Sequence, residues 1–321
     1  MTEETFYRLA AIPGLEVSRD TPLSEHTRFG IGGPARIFAR TASAEAFVAA
    51  LGVARHSGIE YEIVGGGTNL IVSDEGYSGL MLRFTADRIV AAGARVIADA
   101  GAELQALVDF SIARGLKGLE TLTGIPGSVG AAIYGNAGAY GHSISERVVR
   151  VRFFDGTGPR VFDRDECEFR YRESIFKQNK EWIIFSAELI FDRAAVIELC
   201  RAAEQIRGVR DLKYPPAMKC AGSIFKNLVV AGLPAAAAAA VPADVIREGK
   251  VPAGWFLEQV GAKGLRRGGM QVAEYHGNLI FNTGGGTARE LCGLIEELKT
   301  RVRDRFGLAL EEEVQYVGFP P

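Results

Sequence analysis

The chain has 321 residues, more than the roughly 100 to 200 residues of a typical domain, so two or three domains are expected. With 47% hydrophobic and 24% charged residues, its composition is that of a globular protein and excludes extensive disorder. Basic and acidic residues number 37 and 39, a net charge of −2 that argues against nucleic acid as a partner.

No apolar run approaches the ~20 residues that span a bilayer, and the start MTEETFYRLAAIPG has neither a basic nor an apolar signal region. We therefore expect a cytoplasmic protein without membrane contact. The four cysteines are widely spaced and have no histidine cluster nearby. We expect free thiols and no metal site.

The first half of the chain alternates helical and strand patterns. Apolar residues at helical spacing predict a helix that ends near Gly58, followed by a strand at Tyr61–Val64. The glycines after Val64 predict a tight turn before a second strand at Ile71 and Val72. A further strand is predicted at Arg95–Ala98, and a helix follows from Leu104 to about Gly115.

The second half begins with two long predicted strands, Val148–Phe154 and Trp182–Phe191. A helix from about residue 194 ends before the two prolines that follow Tyr214. The alanine-rich run 234–242 is predicted to be an exposed connection with one or two helical turns.

The clearest predicted element is the last helix. Thr287 and Glu290 form a capping box at its start, and Gly307 ends it. A strand at Glu313–Val317 closes the chain. The mixture of βα patterns and strand pairs predicts α+β domains rather than one doubly wound sheet.

Two glycine-rich stretches carry the strongest chemical signal, "GGGTNL" at 65–70 and "GIPGSVGAAIYGNAGAYG" at 124–141. Backbone amides converge on a pyrophosphate only where no Cβ intervenes, so glycine suits such a loop. Neither stretch is a Walker A or G-x-G-x-x-G motif, and a stretch of this kind taken alone is more often a structural turn than a phosphate-binding loop. Together they contain no charge, and the neutral polar residues among them suit a large cofactor with phosphates and flat rings.

Five motifs, in this order, resemble those of the UDP-N-acetylenolpyruvoylglucosamine reductase (MurB) family: Gly65–Leu70, Gly124–Gly130 with Asn136–Gly141, Tyr171–Lys177, Ala221–Asn227 and Leu310–Val314. The resemblance implies an enzyme that takes hydride from NADPH onto noncovalently held FAD. The hydride then reduces the enolpyruvyl ether of UDP-N-acetylglucosamine enolpyruvate, and the product is UDP-N-acetylmuramate for peptidoglycan.

The implied fold is α+β, with a two-subdomain FAD-binding fold like that of the PCMH and vanillyl-alcohol oxidase group and a C-terminal α+β substrate-binding domain. We expect subdomain 1 at residues 1–85, completed by a C-terminal strand near 313–321. Subdomain 2 is expected at 86–200 and the substrate-binding domain at 201–312. About 50 residues separate Arg172 from Ser223, too few for the extra loop of the longer subclass, so the chain resembles the shorter, second subclass. We also expect a monomer.

The resemblance also implies the cofactor-binding residues. They are Gly65, Gly66, Gly67, Thr68, Asn69, Leu70, Gly127, Ser128, Gly130, Ala131, Asn136, Gly138 and Ala139.

Three residues match the catalytic positions of the family. Arg172 would bind the carboxylate and the developing enolate, because a guanidinium offers paired donors. Ser223 would protonate C2, although a serine hydroxyl is a weak acid that needs suitable neighbours. Glu313, directly before a valine, would be the catalytic carboxylate. Strand alternation places Glu311 on the same face, so the residues alone do not choose between these two.

Lys213 and Asn227 match substrate contacts of the family, and His276 and Asn278 are further substrate-side candidates. Two departures stand out: Leu228 replaces the usual proline, and residues 228–252 form an insertion. The alternatives are an FAD-dependent oxidase of the same broad fold and a catalytically silent nucleotide-sugar or flavin binder. The first glycine loop lacks the histidine through which many such oxidases tether FAD, and a binder would need no proton donor.

Overall fold

The computed structural model describes residues 3–320, which form two compact units. Unit 1 comprises the chain up to Thr21, Ala35–Gly67 and Ser78–Leu212, and unit 2 comprises Pro22–Pro34, Thr68–Tyr77 and the chain from Lys213 on. Residues 1, 2 and 321, which belong to the expected ranges 1–85 and 313–321, lie outside the described residues.

The described helices, in chain order, are α1 Glu3–Ala10, α2 Ala44–His56, α3 Leu104–Ile112, α4 Val129–Tyr134, α5 Ile175–Gln178, α6 Val196–Lys213, α7 Ala235–Ala240, α8 Ala253–Gln259 and α9 Ala288–Phe306. The strands are β1 Glu16–Pro22, β2 Pro34–Thr41, β3 Tyr61–Val64, β4 Leu70–Val72, β5 Tyr77–Phe84, β6 Ile89–Ala92, β7 Arg95–Asp99, β8 Leu116–Lys117, β9 Gly138–Ala139, β10 His142–Ser143, β11 Val148–Phe154, β12 Pro159–Asp163, β13 Ile183–Ile190, β14 Asp192–Arg193, β15 Leu228–Val229, β16 Lys250–Val251, β17 Arg266–Arg267, β18 Met270–Ala273, β19 His276–Asn282 and β20 Gln315–Val317.

Unit 1 contains two sheets. A five-stranded sheet has the order β12-β11-β13-β7-β6 with antiparallel neighbours, and its buried face packs on α3 and α4. Strand β7 shows why: Val96 and Ala98 are buried, while the alternate residues Arg95 and Ile97 face outward. A four-stranded sheet, in the order β1-β2-β5-β3, shares a second core with α1 and α2. The sheets therefore carry the loops that follow β3 and precede α4.

Unit 2 is built around an antiparallel sheet of β17, β18 and β19, whose core includes side chains of α8 and α9. Strand β20 pairs in parallel with β4, next to the first glycine loop. Helix α9 begins at the predicted capping box of Thr287 and Glu290, and Gly307 ends it at φ +66°. No described helix is long and apolar enough to cross a membrane.

The main predicted helices and strands are confirmed, and the mixed content of both confirms the α+β class. Two strands are shorter than predicted, Ile183–Ile190 and Gln315–Val317. The expectation of an exposed alanine-rich connection is wrong for part of the run. Helix α7 buries Ala237 in the core of unit 2, because the small side chain allows close packing of its backbone.

Candidate functional site

The two glycine-rich loops meet within unit 1. A Cβ built on Gly65, directly after β3, would lie 3.0 Å from Ser128 Oγ and 3.4 Å from the Cβ of Ala131. The absence of a side chain at Gly65 therefore allows this close approach to the start of α4. Gly67 has φ +66°, a left-handed conformation that favours glycine. The approach of Gly65 to Ser128 therefore brings together the two uncharged loops that the sequence predicts to bind one cofactor.

Two glycines of the second loop, Gly130 and Gly138, are explained by close packing within unit 1. The amide of Gly130 donates to the carbonyl of Ala100 at 2.8 Å, and a Cβ on Gly130 would lie 2.9 Å from the Cβ of Ala100. A Cβ on Gly138 would lie 2.5 Å from the carbonyl oxygen of His142, across the β9–β10 hairpin in which Ala139 is paired. Local packing alone thus requires glycine at 130 and 138.

Ser128 begins α4. Its Oγ accepts a hydrogen bond from the amide of Ala131 at 3.3 Å, a helix N-cap. Gly127, just before it, has φ +122° and is restricted to glycine. A neutral hydroxyl and a glycine therefore stand at the point where the two loops meet.

Arg172 is joined to the second loop. It has φ +59°, and its Nη2 donates to the carbonyl of Gly138 at 2.9 Å. Asn136, at φ +43°, donates from Nδ2 to the carbonyl of Arg170 at 2.8 Å. Lys177 Nζ donates to the carbonyl of Arg172 at 2.9 Å. The predicted carboxylate-binding arginine and the predicted cofactor loop are thus one hydrogen-bonded structure in unit 1.

Ser223 lies in unit 2 at the start of a segment that runs beside β19. The side chain of Asn278 in β19 is buried and hydrogen-bonds twice to Phe225: Oδ1 accepts from its amide at 2.9 Å and Nδ2 donates to its carbonyl at 2.8 Å. Ile224 donates to the carbonyl of Asn278 at 3.1 Å. Tyr214 OH lies 3.2 Å from Ser223 Oγ. Asn278 therefore positions the backbone that carries Ser223.

Glu313 follows the same segment on its other side. Its amide donates to the carbonyl of Ile224 at 2.7 Å, and its carbonyl accepts from Asn69 Nδ2 at 2.9 Å. Glu311 forms an ion pair with Lys226 Nζ at 2.5 Å. Glu312, facing elsewhere, pairs with Lys299 at 2.9 Å. The structure thus brings Ser223, Glu313 and part of the first glycine loop into one hydrogen-bonded region of unit 2.

The remaining substrate candidates also belong to unit 2. Lys213 is exposed, and its Nζ lies 5.2 Å from the centre of the Tyr214 ring. Asn227 accepts from the amide of Ala253 at 3.3 Å, at the end of the insertion.

His276 is partly buried, and its Nδ1 accepts from the amide of Asn278 at 3.1 Å. Burial, with a smaller contribution from the charge of Lys213, lowers the pKa of His276 to about 4. The imidazole is therefore neutral at pH 7, and its proton is on Nε2.

The structure adds contacts that sequence reasoning missed, chiefly those of Tyr214, Lys177 and Lys226. Lys177 and Lys226 lie within the family motifs Tyr171–Lys177 and Ala221–Asn227. The identity of a tyrosine or a lysine does not, however, predict which residue it will contact. Their partners are set by tertiary contact. No group of three or more metal-ligating side chains occurs in residues 3–320.

Two observations support the binding of a flavin dinucleotide by the cofactor loops. Gly65 closely approaches Ser128, and neither loop contains a charged residue. Amides and hydroxyls can then bind the diphosphate without competing acidic groups. Two family comparisons agree with this arrangement. The FAD binding domain family matches residues 35–161, and the C-terminal domain of UDP-N-acetylenolpyruvoylglucosamine reductase matches residues 214–317. Together they define an FAD-dependent oxidoreductase.

Whole-chain comparisons are more specific. A UDP-N-acetylenolpyruvoylglucosamine reductase of Solibacter usitatus is 65% identical over 97% of this chain and 100% of its own length. The Bacillus subtilis reductase is 31% identical over 94% of both chains. The crystal structure of the Thermus caldophilus reductase, MurB, superposes with a TM-score of 0.73 at 28% identity, over 94% of this chain and 98% of that one. The chain belongs to the UDP-N-acetylenolpyruvoylglucosamine reductase family.

Proposed function

We propose that the protein reduces UDP-N-acetylglucosamine enolpyruvate to UDP-N-acetylmuramate in peptidoglycan precursor synthesis, with NADPH as the hydride donor. Bound FAD supplies the hydride-carrying chemistry. Beyond family membership, one observation carries the proposal. The hydrogen bond between the amide of Glu313 and the carbonyl of Ile224, at 2.7 Å, places the two candidate proton-handling side chains on neighbouring backbone.

The roles of the catalytic residues follow from the charge that the reaction creates. Hydride addition to the terminal carbon of the enolpyruvyl group leaves negative charge on C2 and the carboxylate. Arg172 binds that carboxylate and the developing enolate, since its guanidinium donates paired hydrogen bonds. Ser223 Oγ gives its proton to C2. The left-handed backbone of Arg172, held by Lys177, supports the view that this residue is fixed in place for binding.

Glu313 is proposed as the catalytic carboxylate in preference to Glu311. The ion pair of Glu311 with the buried Lys226 supports this choice, because it commits Glu311 to a structural contact. Glu313 follows two residues later, on the extended segment that hydrogen-bonds to Ile224 and Lys226. Its carboxylate would help to return a proton to the site after each turnover.

The substrate-side residues divide into two groups. Lys213, with an exposed ammonium group, is proposed to bind the UDP diphosphate, and Asn227 to make a second substrate contact. Neutral His276 is proposed as a donor through Nε2. Asn278 is proposed to hold the backbone next to Ser223 in place and not to contact the substrate, since its amide oxygen and nitrogen both hydrogen-bond to Phe225.

We further propose that the two glycine-rich loops hold FAD noncovalently, through the cofactor residues identified from the sequence. The expected division into two FAD-binding subdomains and a substrate-binding domain remains part of the proposal. So do the monomeric state and the cytoplasmic location, which suit the nucleotide substrates and the reductant NADPH.

One assay tests the function against both alternatives. The purified protein, with FAD, is mixed with NADPH in the presence and absence of the enolpyruvyl substrate, and absorbance at 340 nm is followed without and with oxygen. Oxidation that requires the enolpyruvyl substrate supports the proposal. Oxidation that requires only oxygen supports the oxidase, and no oxidation under either condition supports the silent binder.

A further inference from the structure

Tyr214 places its hydroxyl beside the proposed proton donor. Its OH lies 3.2 Å from Ser223 Oγ, within hydrogen-bond distance. The tyrosine ring is half-buried against the core of unit 2, 6.4 Å from the ring centre of His276. Pro215 directly follows Tyr214 and disfavours a helical backbone at the tyrosine, where α6 has ended. The phenol therefore lies beside the serine on a ring that packs against the core.

Ser223 is held independently of Tyr214. It bridges to Leu279 of β19, and the adjoining Ile224 and Phe225 are hydrogen-bonded to Asn278. The serine and the tyrosine thus reach each other from two separately fixed backbones. The distance between Tyr214 OH and Ser223 Oγ is therefore set by the packing of both segments, unlike a contact between two flexible surface side chains.

We propose that Tyr214 is a positioning residue that orients the Ser223 hydroxyl and returns a proton to it during reduction of the substrate. The inference rests on the proposed function, in which Ser223 protonates C2. A serine hydroxyl has one proton and two acceptor lone pairs. When that proton points to C2, Ser223 Oγ must accept the hydrogen bond from Tyr214, so the tyrosine selects the productive orientation.

The proton balance is complete. The Ser223 O–H bond breaks as the electron pair on C2 takes the proton and forms the new C–H bond. The Tyr214 O–H bond breaks as its proton moves to Ser223 Oγ, and the phenolate then takes a proton from water, which reaches the half-exposed side chain. A phenol is a much stronger acid than an aliphatic alcohol, so this transfer avoids a free serine alkoxide.

The test measures the two half-reactions of Tyr214→Phe separately by stopped-flow absorbance of the flavin. Reduction by NADPH should keep its wild-type rate. Oxidation by the enolpyruvyl sugar should slow by about 10- to 100-fold, less than the full effect of losing a direct general acid, because Tyr214 acts through Ser223. Tyr7→Phe, which removes an exposed hydroxyl from α1, serves as the matched control and should change neither rate.

A second background separates proton supply from mere support of the fold. A thiol is more acidic than a phenol and needs no proton from it, so Tyr214→Phe in a Ser223→Cys background should cost less than about 3-fold. An equal loss in both backgrounds would overturn the inference, as would an unchanged oxidative rate for Tyr214→Phe. If Ser223→Ala oxidised its reduced flavin at the wild-type rate, the proposed role of Ser223 itself would be wrong. That outcome is distinct from a failure of the inference about Tyr214.

Discussion

Arg172 and Asn136 illustrate how individual residues are set for function. Both have positive φ, at +59° and +43°, and a left-handed conformation costs a non-glycine residue of order 1 kcal/mol. Hydrogen bonds offset that cost: Lys177 Nζ bonds the carbonyl of Arg172, and the side chain of Asn136 bonds the carbonyl of Arg170. Strain maintained by surrounding contacts is typical of residues that must hold one geometry.

At this scale, Ser223→Ala should separate the two half-reactions. Reduction of the flavin by NADPH needs no acid at the substrate and should stay near the wild-type rate. Its reoxidation by the enolpyruvyl sugar should slow by about 100-fold, because a positioned general acid is lost. Ser223→Cys should recover part of the rate, since a thiol can donate a proton. Stopped-flow flavin absorbance measures both steps, and an unaffected second step would leave Ser223 as a turn residue.

Lys213→Ala should mainly weaken substrate binding. An exposed ammonium that contacts a diphosphate stabilises ground and transition states alike, so KM for the UDP-sugar should rise roughly 10-fold with little change in kcat. Steady-state kinetics give both constants, with Lys117→Ala in unit 1 as the control. An unchanged KM would contradict the proposed contact.

The lowered pKa of His276 should make the folded protein less stable in acid. Its pKa is 6.5 in the unfolded reference and about 4 in the folded protein, so the unfolded chain binds a proton that the folded protein excludes. Stability should fall as pH drops through this window, by about 2 kcal/mol from this residue between pH 8 and pH 5. Urea unfolding at both pH values should show a smaller fall for His276→Gln than for wild type. His56→Gln, at an exposed position, should fall like wild type.

At the scale of elements, the insertion 228–252 is a folded part of unit 2. It opens and closes with the antiparallel pair β15–β16, and Leu228 pairs with Val251. Helix α7 places Ala237 in the core, while the alanines at 235, 236, 239 and 240 stay exposed. Because Asn227 precedes the insertion and bonds the amide of Ala253 at its end, the paired strands also hold a proposed substrate contact.

A large side chain at Ala237 should therefore destabilise the protein. Ala237→Leu adds three carbons to a close-packed core, which costs about 1–3 kcal/mol. The same change at Ala239, on the exposed face of α7, should cost less than about 0.5 kcal/mol. Urea unfolding of both variants makes the comparison, and equal stabilities would show that α7 does not pack on the core.

At the scale of the whole molecule, function depends on a cofactor that binds the folded chain. A ligand that binds only the native state raises stability, by about 2.7 kcal/mol at a concentration 100 times its Kd. The glycine loops suit the diphosphate of FAD, so affinity should depend on that group as well as on the flavin ring.

We expect the purified protein to be yellow and to release its flavin on denaturation, because the first loop has no histidine for a covalent link. Removal of FAD should lower Tm by several degrees, and added FAD should restore it. Riboflavin, which lacks the diphosphate, should restore much less. Flavin that stays with the denatured chain, or equal effects of riboflavin and FAD, would contradict the proposed mode of binding.

Elements whose signals are local could be predicted from the sequence alone. Helix α9 shows this best, since its cap, its apolar face and its terminal glycine lie within 21 consecutive residues. The glycine loops and the order of motifs also sufficed to indicate the family, because ligand chemistry restricts residue type at those positions.

The partners of individual side chains depend on tertiary packing and could not be predicted from local patterns. The pairing of residues 224–226 with 311–313 joins segments far apart in the chain, and it sets Lys226 against Glu311. Gly130 is required by its close packing on Ala100, and Ala237 fills a space in the core of unit 2. The physical reason is common to all of these. Local patterns specify which backbone conformation a segment adopts, whereas its contacts depend on where distant segments pack.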